Sequence, residues 1–265
     1  MTGWSGFLTV SAAALLTSAV AMTATALVAR RTGRVSVVDI TWGLVFVAIA
    51  WVSAAVGGGD GWRRVLLAVL VTAWGGRLAW HIRRRALGSG EDPRYDAMLA
   101  DAPAGQRFSY AVRKVFVVQG LSAWFVSLPI QVAAATTAPV VWVVALGVVI
   151  WLVGVVFEAV GDAQLAAFKK DPASNGRVMD RGLWAWTRHP NYFGDAAVWW
   201  GVFVIAAAAW PGVLTVLSPA LMTYLLAFAT GARLLERTMA ERPGYSDYME
   251  RTSGFIPLPP RRTRA

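Results

Sequence analysis

The chain has 265 residues, 57% of them hydrophobic and only 15% charged, with a mean hydropathy of +0.51, whereas soluble domains carry roughly 45–50% apolar and about 25% charged residues. An ordinary soluble fold is excluded, and the composition reads as an integral membrane protein. The absence of cysteine excludes disulfides, thiolate metal sites, haem attachment and cysteine nucleophiles. A net charge of +10 would suit a nucleic-acid binder, so the placement of the 25 basic residues matters.

Seven apolar runs approach the length of about 20 residues that a bilayer requires. The first, Gly6–Ala29, lacks a positive leading region and is followed by Arg30, Arg31 and Arg34. It reads as a retained helix with its N-terminus outside, not as a signal peptide. The second, Val35–Val56, carries Asp39 near its inner end. That carboxylate is either satisfied by helix-start amides and Arg34, or belongs to a site. On the third, Val65–Ile82, Arg77 and His81 lie four apart on the face that also carries Trp74. Arg77 either points into the bundle or snorkels to the interface. The polar segment that follows contains Gly90-Glu91-Asp92-Pro93-Arg94-Tyr95, a self-satisfied turn or part of a site. The fourth run, Val115–Thr136, holds Gln119, and the fifth, Val140–Val160, holds Glu158, with Asp162 and Gln164 just beyond it. Glu158 and Asp162 repel each other at this spacing, so a hydrogen-bond donor or a cation should face them. The sixth and seventh runs are Tyr192–Ala209 and Val213–Ala232.

With the N-terminus outside, four segments face the cytoplasm: 30–34, 83–114, 161–190 and 233–265. They hold 22 of the 25 basic residues. The basic excess is therefore mostly topology, which removes the nucleic-acid reading. The exceptions are Arg63 and Arg64 at an outer helix end and Arg77 within the third run. Short turns at Gly57–Trp62, Thr137–Pro139 and Trp210–Gly212 close the outer side, with Trp51, Trp62, Trp142 and Trp210 as interfacial anchors.

Two cytoplasmic stretches carry most of the chemistry. In Thr187-Arg188-His189-Pro190-Asn191-Tyr192-Phe193-Gly194-Asp195, Pro190 keeps His189 out of helix and starts the next one. Arg188 and His189 are thus presented at a helix entrance, with Asn191 and Asp195 on one face, a pattern suited to an anionic or polar ligand. The second stretch runs from Arg233 through Glu236, Arg237, Arg242-Pro243-Gly244-Tyr245 and Tyr248 to Phe255-Ile256-Pro257-Leu258-Pro259-Pro260. Aromatics and prolines interleaved this densely with charge read as a folded cytoplasmic cap, and Arg261–Ala265 as a basic tail for anionic headgroups.

These two stretches, with Glu158-Ala159-Val160-Gly161-Asp162-Ala163-Gln164-Leu165, resemble the steroid 5α-reductase-like integral membrane proteins, in particular their bacterial branch catalogued as the domain of unknown function DUF1295. The resemblance implies one all-α, seven-helix polytopic domain over 1–265 with a cytoplasmic C-terminus. Residues 1–136 would line the substrate side, and 137–260 would hold NADPH in a cytoplasm-facing pocket. It implies Glu158, Asp162, Asn191 and Asp195 as polar cofactor ligands, and Lys169 and Arg177 as cations beside the phosphates. Arg233 matches a family arginine, Glu236 and Arg237 replace a histidine-rich stretch, and Arg188, His189, Tyr192, Tyr245 and Tyr248 complete the expected pocket. The family's adjacent Gln-Glu pair on the second helix is absent, and Trp80-His81 stands where the family has His-Tyr.

The expectation is an oxidoreductase in the membrane of a bacterial cell that uses NADPH to reduce a carbon–carbon double bond conjugated to a carbonyl. Its substrate is a hydrophobic molecule drawn from the bilayer. Asp39, His81 and Tyr95 are the candidates to hydrogen-bond the developing enolate oxygen. No metal, nucleic acid or obligate protein partner is implied; membrane lipids are. A methyltransferase of the isoprenylcysteine or phospholipid type using S-adenosylmethionine, and a non-catalytic lipid- or sterol-binding protein, are the alternatives.

Overall fold

The structure, a computed structural model, describes residues 2–138, 140–229 and 231–261. Among these residues every regular element is helical. The first part of the chain forms α1 (Gly3–Thr32), α2 (Val37–Val56), α3 (Gly61–Ala86), α4 (Pro93–Ala100), α5 (Arg107–Ala111), α6 (Val117–Val126) and α7 (Leu128–Ala135). There follow α8 (Val141–Lys170), α9 (Pro190–Ala207), α10 (Trp210–Val213), α11 (Leu217–Tyr224), α12 (Ala232–Met239) and α13 (Tyr245–Arg251). Among the described residues five stretches are long and apolar enough to cross a bilayer, namely α1, α2, α3, α8 and the run Trp210–Met239. Arg107–Val126 and Leu128–Ala135, bent by 42°, make a sixth if they act as one span. The 18-residue α9, whose first two turns carry Asn191 and Asp195, falls outside this set. Of the expected basic tail only Arg261 is among the described residues, and Pro139 lies outside them too.

The chain divides into two units, Met1–Val140 with Ala206–Val213 and Val141–Ile205 with Leu214–Ala265. In the first unit, α2 and α3 approach so closely at Gly43 and Gly75 that a Cβ on either would fall against the other's carbonyl oxygen. Without a hydrophobic force between helices in lipid, such small-residue contacts are what hold them together. Three α1 hydroxyls spaced seven apart, on Ser11, Ser18 and Thr25, each find a partner on another helix. Ser11 Oγ accepts from Trp124 Nε1 (3.1 Å), Ser18 Oγ donates to the Gly120 carbonyl (2.8 Å), and Thr25 pairs with Thr41 (2.9 Å).

The bend before α7 has a local cause. Pro129 sits in the first turn of α7 and has no amide to donate, so the ladder of α6 stops. At the same break the Trp124 carbonyl accepts from Ser127 Oγ (2.9 Å) and Gln131 Nε2 (2.8 Å). Arg63 and Arg64 serve the same need. Fully buried Arg63 donates to the carbonyls of Ala133 (3.0 Å) and Thr136, while Arg64 donates to those of Ala54 (2.5 Å) and Gly57. Both guanidinium groups therefore cap helix C-termini, which explains two of the three cations outside the four basic segments.

In the second unit α8 and α9 run antiparallel along a glycine seam. Gly147 abuts Ile205 and Gly201, Gly154 abuts Gly194 and Val198, and Gly161 abuts Pro190. The seven-residue spacing keeps these positions on one stripe. A paired substitution on α3 tests this close-approach principle in the first unit. Gly75→Ala should cost about 1–3 kcal/mol through overpacking, whereas Gly76→Ala, with open space around it, should be neutral or stabilising, both read as thermal unfolding midpoints in detergent.

Candidate functional site

Each unit holds one polar cluster. In the first, the amides at the start of α2 go to Glu91 and not to Asp39. Its carboxylate accepts from the amides of Val35, Ser36 (3.0 Å) and Asp92 (2.9 Å). Burial works against ionising Glu91, but the hydrogen bonds from Ser36, Val35 and Asp92 outweigh it and hold the carboxyl below its usual range. Asp39 is bound instead by Tyr95, whose hydroxyl donates to Oδ1 at 2.5 Å, and by Arg94 Nη2 at 3.2 Å from Oδ2. Gln119 Nε2 donates to the Tyr95 oxygen (3.3 Å), so the phenol accepts one hydrogen bond and gives another.

The segment 91–95 is thus both a self-satisfied turn and part of a site. Asp92 caps α4 by accepting the Arg94 amide at 2.9 Å, and it also holds the Arg94 guanidinium (2.9 and 3.0 Å). Burial, then the Asp39 charge, pushes the Tyr95 phenol well above its ordinary value. Its proton therefore stays on oxygen at neutral pH, directed at a carboxylate. Of the three expected acid groups, the fold brings Asp39 and Tyr95 into contact; His81 is half-buried on α3.

The second cluster gathers around the start of α9. The His189 carbonyl accepts the Phe193 amide (3.0 Å) and Pro190 opens the helix, as its fixed φ favours. Arg188 turns toward the C-terminal cap. Its Nε meets Glu236 Oε1 at 2.7 Å and its Nη1 donates to the carbonyls of Met249 (3.1 Å) and Thr252 (2.7 Å). Its amide donates to the Ser253 carbonyl (2.9 Å), Thr187 Oγ1 to that of Phe255 (2.9 Å), and the Leu258 amide to that of Trp186 (3.0 Å). His189 Nε2 reaches the same Glu236 oxygen at 3.1 Å, and its ring stacks on Tyr192. Arg188, expected to face an anionic or polar ligand, clasps the cap.

The donor expected to face the α8 carboxylates is Asn191, whose Nδ2 lies 3.2 Å from Asp162 Oδ1. Glu158, Asp162 and Asp195 are all buried, and Gly194 lets α9 lie against the backbone at Glu158. Trp184 Nε1 donates to the Gly161 carbonyl (3.0 Å) and the Tyr248 hydroxyl to that of Trp184 (2.6 Å). Burial, then the neighbouring Tyr245, raises the Tyr248 phenol above its usual value.

Beside this cluster lies a cleft of about 400 Å³ lined by Phe168, Arg177, Val178, Asp180, Arg181, Pro243, Gly244 and Arg251. Arg251 pairs with Asp180 at 2.5 Å, and the Arg181 guanidinium lies over the Phe168 ring, 6.0 Å from its centroid. A second cleft of about 360 Å³ shares Phe168 and Arg181 and adds Gln164, Ser174 and Met179. Arg177 was anticipated here. Asp180, Arg181 and Arg251 were not: the first lay in no motif, and the two arginines passed as topology charges. Lys169, Arg233 and Arg237 are exposed. Among the described residues no group of three or more His, Asp or Glu side chains is placed to hold a metal ion.

The family model described as "Protein of unknown function (DUF1295)" matches residues 25–252. An uncharacterized protein of Schizosaccharomyces pombe is 30% identical over 92 residues, which are 34% of this chain and 27% of that protein. The chain thus matches about a quarter of that relative's length. No solved structure matches the chain.

The clasp makes a definite forecast for Arg188. Arg188→Ala leaves Glu236 without its main cation and two carbonyls without a donor, which should cost roughly 3 kcal/mol. Limited proteolysis should then cut within 249–258 before the rest of the chain.

Proposed function

The chain belongs to the DUF1295 family of proteins of unknown function, and from that premise we propose that it is an NADPH-dependent reductase of a carbon–carbon double bond conjugated to a carbonyl in a hydrophobic, lipid- or steroid-like substrate. The observation that carries the reading is the contact of the Tyr95 hydroxyl with Asp39 Oδ1 at 2.5 Å. Reduction of an enone builds negative charge on the carbonyl oxygen, and a phenol already committed to a carboxylate is a proton donor aimed at an oxyanion. A substrate carbonyl would take over the proton that Asp39 now accepts. Gln119 continues to hold the phenol oxygen and Arg94 to balance the Asp39 charge, so neither partner is left bare.

The donor set of the second unit fits a phosphorylated dinucleotide. Arg177, Arg181 and Arg251 supply guanidinium groups for phosphate oxygens, as P–O recognition favours. Asn191, with Asp162 and Asp195, offers amide and carboxylate groups for ribose and carboxamide hydrogen bonds. NADPH bound there supplies the hydride. Phe168 gives Arg181 a platform that keeps its planar group extended into the cleft. S-adenosylmethionine has no phosphate for Arg177 and Arg181 to bind, which favours the reductase over a methyltransferase.

The same reading takes α9 as a seventh span, with the N-terminus outside and the C-terminus cytoplasmic in a bacterial cell membrane. The distribution of 22 of 25 basic residues supports it. Equilibrium binding of NADPH, NADH and S-adenosylmethionine to the detergent-purified protein tests the cofactor. NADPH should bind best, and Arg181→Ala should weaken it by about 10–100-fold, in line with the loss of a charge-assisted contact of 1.5–3 kcal/mol. Preference for S-adenosylmethionine overturns the reductase in favour of a methyltransferase, and binding of none of the three favours a lipid-binding protein. With an enone lipid and NADPH, Tyr95→Phe should lower turnover by about 10²–10⁴-fold, as loss of a general acid does.

A further inference from the structure

The acid assigned to the first unit does not sit on a membrane-spanning helix. Tyr95 belongs to α4, an eight-residue helix of a length that is marginal in water without tertiary support. That support is thin. Leu99 is the buried residue of α4, and its ion pair to α5, Asp96 with Arg107 at 2.7 Å, is more than half exposed. Gly88 (φ 77°) and Gly105 (φ 72°) bracket the segment, each in the left-handed region that favours glycine. Few apolar contacts and glycine joints place the segment among the parts of the molecule that open first.

What seats it is a run of contacts in register: Glu91 on Val35 and Ser36, then Arg94 and Tyr95 on Asp39. Arg94 is a weak candidate for the anchor. Its side chain is 42% exposed and shared between Asp39 and Asp92, so solvent and salt screen it. Glu91 differs in kind, because it bridges two amides at the entrance of α2, where helix geometry leaves donors unanswered. The lowered carboxyl pKa agrees with a charge held by those donors.

We propose that Glu91 is the positioning residue for Tyr95: by binding the amides of Val35 and Ser36 it seats residues 91–95 on residues 35–39, and the phenol meets Asp39 only while that contact is made. The role of Tyr95 as acid rests on the reductase reading; the seating does not. Asp39, Asp92, Arg85 and Arg94 are the charged groups that act on this locus.

The test uses phenolate absorbance at 295 nm in the full-length protein in detergent, with Tyr95→Phe as the reference for each form. An ordinary phenol with a pKa of about 10 is roughly nine-tenths ionised at pH 11. In the unaltered protein the difference from Tyr95→Phe at pH 11 should be near zero. In Glu91→Gln it should rise to about one phenolate, with the circular dichroism unchanged. A difference that stays near zero in Glu91→Gln overturns the proposal. Hydrogen exchange of the unaltered protein gives a second reading that no folding defect can blur. The Val35 and Ser36 amides should exchange together with those of α4, and their continued protection while α4 opens also overturns the proposal. Neither reading involves turnover, so a failed reductase assay leaves the seating standing, and a failed seating test leaves the cofactor measurements intact.

Discussion

A bilayer offers a backbone carbonyl or a side-chain hydroxyl no partner, so every polar group placed there has to be answered from within the chain. That constraint explains more of this molecule than hydrophobicity does. The hydroxyls of Ser11, Ser18 and Thr25 are answered by neighbouring helices, and the Trp124 carbonyl at the break between α6 and α7 is answered by Ser127 and Gln131. Charged groups obey the same rule at the membrane edges. Glu91 closes the amides ahead of α2, and Arg188 closes the carbonyls of the C-terminal cap.

Much of the helical architecture was legible because its signal is coarse. A run of some 20 apolar residues reports itself by composition, and α1, α2, α3 and α8 lie where such runs are. The break at Ser127 was also written in the chain, since Leu128-Pro129 cannot continue a helix ladder, yet it sits inside one uninterrupted apolar run. The glycine seams were harder to see. Gly147, Gly154 and Gly161 fall at a constant spacing of seven, but their partners on α9 become known only once the two helices are laid together. Division into two units, with residues 206–213 returning to the first, left no compositional trace at all.

Site residues were legible in proportion to how local their chemistry is. The segment 91–95 announced itself by an acidic pair beside Arg94 and Tyr95, and Asp39 by being a carboxylate in an apolar run. Which carboxylate would take the α2 amides was not legible, because Glu91 and Asp39 are equally suited and only the return of the chain decides. Arg188 is the sharper case. Its neighbours His189, Pro190 and Asn191 made it look like a ligand, whereas Glu236 and three backbone positions beyond residue 248 claim it for the cap. Arg181 and Arg251 passed unnoticed for the opposite reason: a cation beyond a span is what topology alone would put there.

Arg63 carries a consequence for how membrane orientation is decided. Positive residues resist translocation while they are free and hydrated, and counting them treats every guanidinium as equivalent. One with no solvent exposure whose Nη2 serves Ala133 and Thr136 is, in the folded protein, part of the backbone's wiring. The pair at positions 63 and 64 therefore works as mortar on the side of the membrane where cations are scarce. Its presence there strengthens the C-terminal ends of α2 and α7 and does not weigh against the sidedness proposed from the remaining charges.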